Sequence, residues 1–207
     1  MQVLLVHGLS RTPASLMSLG WRLQTAGWST AAFSYAAFFE TFDQIVVRLR
    51  QQLQTLSQEG PYSVVAHSLG GLLLRAALET DTVLSPAHTV MLGPPNQRPR
   101  LAPIAWQLPP FQWVTGQCGF NLTRLDFFGQ LLPLRSPYTI IAGVGGPRGW
   151  FSPFGEEAND GIVTLDETRM VESDRPLEFP VMHTFMMNHP AVQSAVISAI
   201  RSSLLKQ

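Results

Sequence analysis

Short apolar runs alternate with longer amphipathic stretches along this chain. Residues 3–6 (Val3, Leu4, Leu5, Val6) form a continuous apolar run too short for a helix, and His7-Gly8 follows it, so a buried strand is expected there. Thr12-Pro13 then supplies an N-cap with proline at the first helical position, and Gly27 stops that helix. Residues 29–35 predict a second strand. Thr41-Phe42-Asp43-Gln44 has capping-box spacing. Behind it Ile45, Leu49, Leu53 and Leu56 share one stripe, with Arg48, Arg50, Gln51, Gln52 and Gln54 largely on the rest, and Glu59-Gly60-Pro61 ends the helix. Residues 62–66 predict a third strand, and 69–78 a helix apolar almost all round, as a helix packed beneath other elements would be. Strands are expected at 88–92, 138–144 and 177–182. A closing helix at 190–205 has Val192, Val196, Ile200 and Leu204 in register. This alternation predicts an α/β architecture: a mostly parallel sheet of about six strands with helices on both faces.

Two segments break the alternation. Residues 93–137 are rich in Pro, Trp, Phe and Gly and too long for an ordinary loop. Helix is expected within them around 101–108 and 116–125. Their aromatics are Trp106, Phe111, Trp113, Phe120, Phe127 and Phe128. Either the segment is a cap or lid lining an acyl pocket, or it is a structural subdomain with these aromatics as its own core; the pattern fits both. The chain is thus expected to be one domain, 1–207, with a cap-like insertion at about 94–136. The second segment, 145–161, carries Trp150, Phe151 and Phe154 and ends in Asn159-Asp160-Gly161.

Composition narrows the function. The 207 residues are enough for one substantial core. Lys+Arg and Asp+Glu are 14 each, so no charge bias favours nucleic acid or an anionic membrane surface. With 14% charged and 45% hydrophobic residues, either the core is well filled or apolar surface is exposed to a greasy substrate or a membrane edge. Cys118 is the lone cysteine, which excludes an internal disulfide. No basic segment precedes a long apolar run, so no signal peptide is read, a cytoplasmic location is the default, and the Asn121-Leu122-Thr123 sequon is taken as coincidence. No stretch is long and apolar enough to span a bilayer. The histidines lack paired ligand spacing and Gly8 belongs to no G-x-G-x-x-G run, so no metal or cofactor is expected.

The chemistry centres on residues 63–71, Ser-Val-Val-Ala-His-Ser-Leu-Gly-Gly. A buried strand runs into Ser68, and small residues then open an apolar helix. A serine on such a turn is pushed out over the end of the sheet, and the following N–H, that of Leu69, is free for an oxyanion. Ala66 stands where the G-x-S-x-G pattern has its first glycine. The bland alternative is that Ser68 merely caps the helix. Nucleophilic serine needs a base and an orienting carboxylate, and in open α/β sheets such groups gather after the strands. His183 directly follows the sixth strand and is preferred to His189, which precedes Pro190 at the start of the last helix. His7, His67 and His88 are read as structural or as pocket wall. Asp160 is the best carboxylate, with Glu156, Glu157, Asp166 and Glu167 as neighbouring competitors. Leu9, after Gly8 in the loop beyond the first strand, is the expected second oxyanion donor.

These motifs resemble those of α/β-hydrolase-fold lipases and esterases, especially small bacterial lipase-like hydrolases and the branch related to enzymes that deacylate glycosylphosphatidylinositol. The resemblance is carried by Val6-His7-Gly8-Leu9, by Ala66-His67-Ser68-Leu69-Gly70-Gly71, and by Gly93-Pro94-Pro95-Asn96-Gln97. Asn159-Asp160-Gly161-Ile162-Val163 and Met182-His183-Thr184-Phe185-Met186-Met187 complete it. It implies a three-layer α/β-hydrolase fold, with Ser68 as nucleophile, Asp160 as triad acid and His183 as base. It also implies hydrolysis of small-molecule or lipid carboxylic esters through an acyl-enzyme, with no cofactor and with peripheral membrane contact open. Acyltransferase or thioesterase chemistry on the same residues, or a non-catalytic binding protein, are the alternatives. Arg98-Pro99 departs from the Gly-Ser that often follows Pro-Asn-Gln, and the chain starts at the strand bearing His7.

Overall fold

A computed structural model describes residues 1–80 and 83–204. Its centre is a six-stranded sheet in the order β2-β1-β3-β4-β5-β6, with every neighbouring pair parallel. The strands are β1 (Gln2–Val6), β2 (Ser29–Phe33), β3 (Tyr62–His67), β4 (His88–Leu92), β5 (Tyr138–Gly143) and β6 (Leu177–Phe179). Every residue of β3 and β4 is buried, which is why both read as unbroken apolar runs. Side chains alternate across the sheet. Leu4, Val6, Val64 and Ala66 face α2 (Phe42–Glu59) and α3 (Leu69–Ala77), while Val3, Leu5, Val65 and Val90 face α1 (Met17–Thr25) and α7 (Pro190–Leu204). Two apolar cores on opposite faces give the expected three layers.

Local signals fixed the start of α2. At α2 both capping-box bonds form: the Gln44 N–H donates to Thr41 Oγ1 at 3.3 Å and the Thr41 N–H to Gln44 Oε1 at 2.9 Å. The first helix departs from expectation. Thr12 makes no side-chain cap bond, and Pro13–Leu16 form a tight 3-10 turn before α1 begins. The outer strands are also shorter than predicted. β6 ends at Phe179 because Pro180 has no N–H to offer the ladder. Of the closing helix, Leu205 lies outside the described residues.

The insertion between β4 and β5 holds α4 (Leu101–Ala105), α5 (Pro109–Asn121) and α6 (Leu125–Gln130). The break falls at Leu108, which the following proline pushes to an extended conformation, so the expected 101–108 helix stops early. The expected 116–125 helix instead begins at Pro109 and is kinked at Gly116 (φ 51°, ψ −144°). There a Cβ would stand 2.7 Å from the Ala37 carbonyl, so glycine lets α5 lie against the loop after β2. The aromatics divide. Phe127 joins the main core edge-on to Phe42 at 4.9 Å, while Trp113 is exposed. Arg75 of α3 donates to the Leu131, Leu132 and Asn96 carbonyls, which staples both ends of the insertion to the core. The sequon residue Asn121 is buried, closed to glycosylation in the folded chain. No helix among the described residues is long and apolar enough to cross a membrane.

Candidate active site

All strands run the same way, so the turns after β1, β3, β4, β5 and β6 converge at one end of the sheet. Ser68 occupies the sharp turn from β3 into α3, at φ 51° and ψ −123°, a conformation that side chains other than glycine rarely adopt. Its N–H is tied to the Leu92 carbonyl at 2.8 Å. Its hydroxyl does not cap α3, which removes the capping alternative; Oγ lies 2.9 Å from His183 Nε2. Ala66 packs in the α2–α3 core, so the methyl that breaks the motif points away from the turn. Gly70 is sterically obligatory, since a Cβ would stand 2.7 Å from the His7 carbonyl and 2.8 Å from the Val6 carbonyl.

His183 begins the 3-10 segment after β6, and its N–H donates to the Asp160 carbonyl at 2.9 Å. The ring Nδ1–H donates to Asp160 Oδ2 at 2.6 Å. Asp160 Oδ1 accepts from the Ile162 and Val163 N–H groups at 3.0 and 2.8 Å. With Oδ1 saturated by the backbone and Asp160 buried, the carboxylate has one orientation, and it aims Oδ2 at the imidazole. Gly161 at φ +94° closes the turn, and its N–H bonds to Asn159 Oδ1 at 2.9 Å. The competing residues are engaged elsewhere. Asp166 pairs with Arg169, Glu157 with Arg100, and Glu167 accepts from the Thr164 and Arg100 N–H groups. Glu156 and His189 are exposed.

Gly93, at φ +53°, makes room for the His–Asp pair. A Cβ there would stand 3.0 Å from His183 Nδ1 and 3.2 Å from Asp160 Oδ2. Gly93→Ala is therefore expected to push the imidazole off line and lower kcat about 100-fold, and to cost about 1–3 kcal/mol of stability from the left-handed φ. Steady-state kinetics and thermal melts of the purified variant check this, and unchanged kcat would show that the pair tolerates displacement.

Two histidines do more than line the site. His7 stacks on Tyr35 at 4.1 Å. Its Nδ1–H donates to the Gly8 carbonyl at 2.9 Å and its Nε2 accepts from the Tyr35 N–H at 3.4 Å. Burial lowers its pKa, which keeps the neutral ring that can donate and accept at once. It thereby clamps the loop carrying Gly8 and Leu9. Gly8 runs against the serine turn, where a Cβ would stand 2.8 Å from His67 Nδ1 and 3.1 Å from Ser68 Cβ. Among the described residues, neither the Leu9 nor the Leu69 N–H has a backbone acceptor. His67 is buried, and its Nε2–H donates to the His183 carbonyl at 3.2 Å. Burial first, then the neighbouring His183, holds its pKa well below the ordinary imidazole range. Its Nδ1 is buried without a hydrogen-bond partner. The position of His67 between Ala66 and Ser68 is the one sequence signal for this role; its contact with His183 joins residues far apart in the chain. His88, by contrast, sits at the start of β4, away from this end of the sheet, with Nε2 2.9 Å from Thr139 Oγ1.

A cavity of about 520 Å³ opens beside Ser68 and His183. Its apolar wall comes from the insertion and includes Leu101, Ala102, Phe111, Val114 and Leu122. Ser10 Oγ donates to the Val114 carbonyl at 3.2 Å, tying the loop after β1 to that wall. The arrangement holds a hydroxyl against an imidazole, a fixed carboxylate behind it, two N–H groups without a backbone acceptor nearby and a greasy cleft. No group of three His, Cys, Asp or Glu among the described residues is placed to hold a metal ion.

No family model matches the chain, and no curated protein does. Solved structures do. Bacillus licheniformis lipase BlEst2 in its mature form superposes with a TM-score of 0.76 at 17% identity, over 96% of this chain and 91% of that one. The esterase EaEST from Exiguobacterium antarcticum gives 0.72 at 12% identity, over 97% and 92%. The RedJ thioesterase of the prodiginine pathway in Streptomyces coelicolor gives 0.61 at 14% identity, over 98% and 90%. At these identities the likeness is one of architecture, and together with the six-stranded parallel sheet it shows that this chain has the α/β-hydrolase fold.

Proposed function

We propose that the protein is a serine hydrolase that cleaves carboxylic esters through an acyl-enzyme. One observation carries the reading: the hydrogen-bonded line from Ser68 Oγ through the His183 ring to Asp160, beside the apolar cavity. His183 Nε2 takes the hydroxyl proton as Ser68 Oγ attacks the ester carbonyl. Asp160 holds the tautomer with the proton on Nδ1 and stabilises the imidazolium that forms. The Leu9 and Leu69 N–H groups receive the oxyanion of the tetrahedral intermediate. His183 then protonates the departing alcohol, and water, activated by the same ring, releases the acid. The neutral state of His67 suits this cycle, because a second cation beside the imidazolium would oppose it.

The insertion acts in this reading as a cap whose inner wall takes the acyl chain. Exposed Phe39, Trp150, Phe151 and Phe185 lie in loops leaving the strands at the same end of the sheet, which favours greasy or lipid esters and contact with a lipid surface. The kinship with the branch related to glycosylphosphatidylinositol deacylases rests on the sequence motifs. Thioester cleavage and acyl transfer to an alcohol would use the same acyl-enzyme, and a product assay with competing alcohols separates them from hydrolysis. An assembled nucleophile, base and carboxylate argues against a pure binding role.

The test combines a fluorophosphonate probe with p-nitrophenyl esters graded by chain length. The probe is expected to add its mass at Ser68. kcat/KM is expected to rise from acetate upward by as much as about fourfold per methylene until the cavity is full, since each buried methylene contributes about 0.8 kcal/mol. Absence of both labelling and turnover across the series would overturn the reading.

A further inference from the structure

We propose that Arg11 forms a subsite for an anionic group on the alcohol side of the substrate, so that the preferred esters carry a phosphate or carboxylate in their alcohol portion. This inference rests on the ester-hydrolase reading of the site. Arg11 stands three residues beyond Gly8, and its N–H donates to the Gly8 carbonyl at 3.3 Å, so its root is fixed to the loop that bears Leu9. Its half-buried side chain lines the same cavity as Ser68 and His183. Among the described residues lining that cavity, Arg11 alone carries a fixed charge.

Three other arginines near the site are engaged. Arg100 pairs with Glu157 and Glu167, Arg169 with Asp166, and Arg75 donates to backbone carbonyls. The Arg11 guanidinium has no hydrogen-bond or ion-pair partner among the described residues, and its charge adds, behind burial and the neighbouring His183, to what lowers the His67 pKa. A guanidinium partly withdrawn from water beside apolar walls is poorly satisfied by those walls, and its planar fork is matched by a phosphate or carboxylate. The direction is argued from the apolar wall. The apolar wall of Leu101, Ala102, Phe111, Val114 and Leu122 is where an acyl chain gains most by burial. With the carbonyl carbon at Ser68 Oγ and the chain along that wall, the alcohol is assigned in this proposal to the part of the cavity that Arg11 lines.

Two matched pairs of octanoate esters test this. One is p-nitrophenyl octanoate against its 3-carboxy-4-nitrophenyl analogue, a soluble carboxylate. The other is monooctanoylglycerol against octanoylglycerol phosphate, a lipid headgroup. Within each pair the quantity read is the ratio of kcat/KM for the anionic to the neutral ester. In the wild type the ratio is expected to exceed one and to fall with added salt. Arg11→Gln is expected to lower it about tenfold to hundredfold, the range set by hydrogen bonds to charged groups, and Arg11→Lys to restore part of it. An Arg11-dependent ratio in the glycerol pair alone assigns the subsite to phosphate; in both pairs, to anions generally. A ratio that Arg11→Gln leaves unchanged overturns the proposal, and so does a wild-type preference for the neutral member of both pairs.

A binding measurement separates this inference from the hydrolase reading. Octyl phosphate and octanol are titrated calorimetrically into Ser68→Ala with and without Arg11→Gln. Octyl phosphate is expected to bind at least tenfold more weakly when Arg11 is lost, with no matching change for octanol. If no ester is turned over but this dependence appears, the hydrolase reading fails and the anion subsite stands. If esters are cleaved and the dependence is absent, the subsite alone fails.

Discussion

Ser68→Ala is expected to lower kcat for a short p-nitrophenyl ester by about 10⁶-fold, the loss typical of removing a triad nucleophile, while thermal unfolding stays nearly unchanged. The reason for the split lies in what Oγ touches. Its described hydrogen bond is to His183 Nε2 at 2.9 Å, and Ser68 itself is half-buried. Loss of one such bond costs about 1 kcal/mol net. The unusual φ of 51° is borne by the backbone of either residue, so alanine neither relieves nor adds to it. A circular-dichroism melt beside a stopped-time assay reads both quantities. Retained turnover in a preparation free of wild-type enzyme would remove Ser68 from the mechanism.

Asp160→Asn is expected to reduce kcat about 10⁴-fold, as when a triad carboxylate becomes an amide. The carboxylate uses both oxygens: Oδ1 accepts from the Ile162 and Val163 N–H groups, and Oδ2 accepts from His183 Nδ1–H. Asparagine has one oxygen. If that oxygen keeps the two backbone donors, the NH₂ group faces Nδ1 and drives the imidazole proton to Nε2. The ring then donates to Ser68 instead of accepting from it. If the amide turns the other way, the buried Val163 N–H loses its acceptor, at about 1–3 kcal/mol, and the part-buried Ile162 N–H loses its own. Activity and melting temperature together tell the two outcomes apart: a large loss of kcat with an unchanged melt marks the wrong tautomer. A kcat within tenfold of wild type would show that His183 needs no fixed partner.

Much of this was legible in the sequence, and for physical reasons. β3 and β4 are buried on both faces and so read as continuous apolar runs, and the Thr41–Gln44 box is a local device that needs no distant partner. The expected order of Ser68, Asp160 and His183 after β3, β5 and β6 follows from a parallel sheet that delivers such turns to one end, although the residues alone left Glu156, Glu157, Asp166 and Glu167 as competitors to Asp160. The insertion was harder. Pro109-Pro110 looks like a breaker yet opens α5, where a proline in the first turn loses no helical bond, and Gly116 looks like a helix start yet kinks one. The end of β6 was marked in the sequence by Pro180, yet the expected strand ran past it to Met182. What stayed hidden was pairwise and long-range. The tautomer of His7 depends on Tyr35, and the hold of His67 on the His183 carbonyl spans more than half the chain. Arg11 carried no local signal, since only the cavity around it reveals that its charge is unmatched.

The seam between the loop after β1 and the turn after β3 has a consequence for how this molecule can be varied. Gly8 and Gly70 meet across it, and at either position one added carbon would collide with backbone or with the serine turn itself. The floor of the cleft is therefore closed to mutation at these points, and the spacing of its donors is inherited whole. Leu101, Phe111 and Val114 on α4 and α5 are under no such restraint, for they line the cavity and none belongs to the buried core. Libraries aimed at a new cleft shape should leave the floor alone and diversify Leu101, Phe111 and Val114, where change does not disturb the frame that holds Ser68.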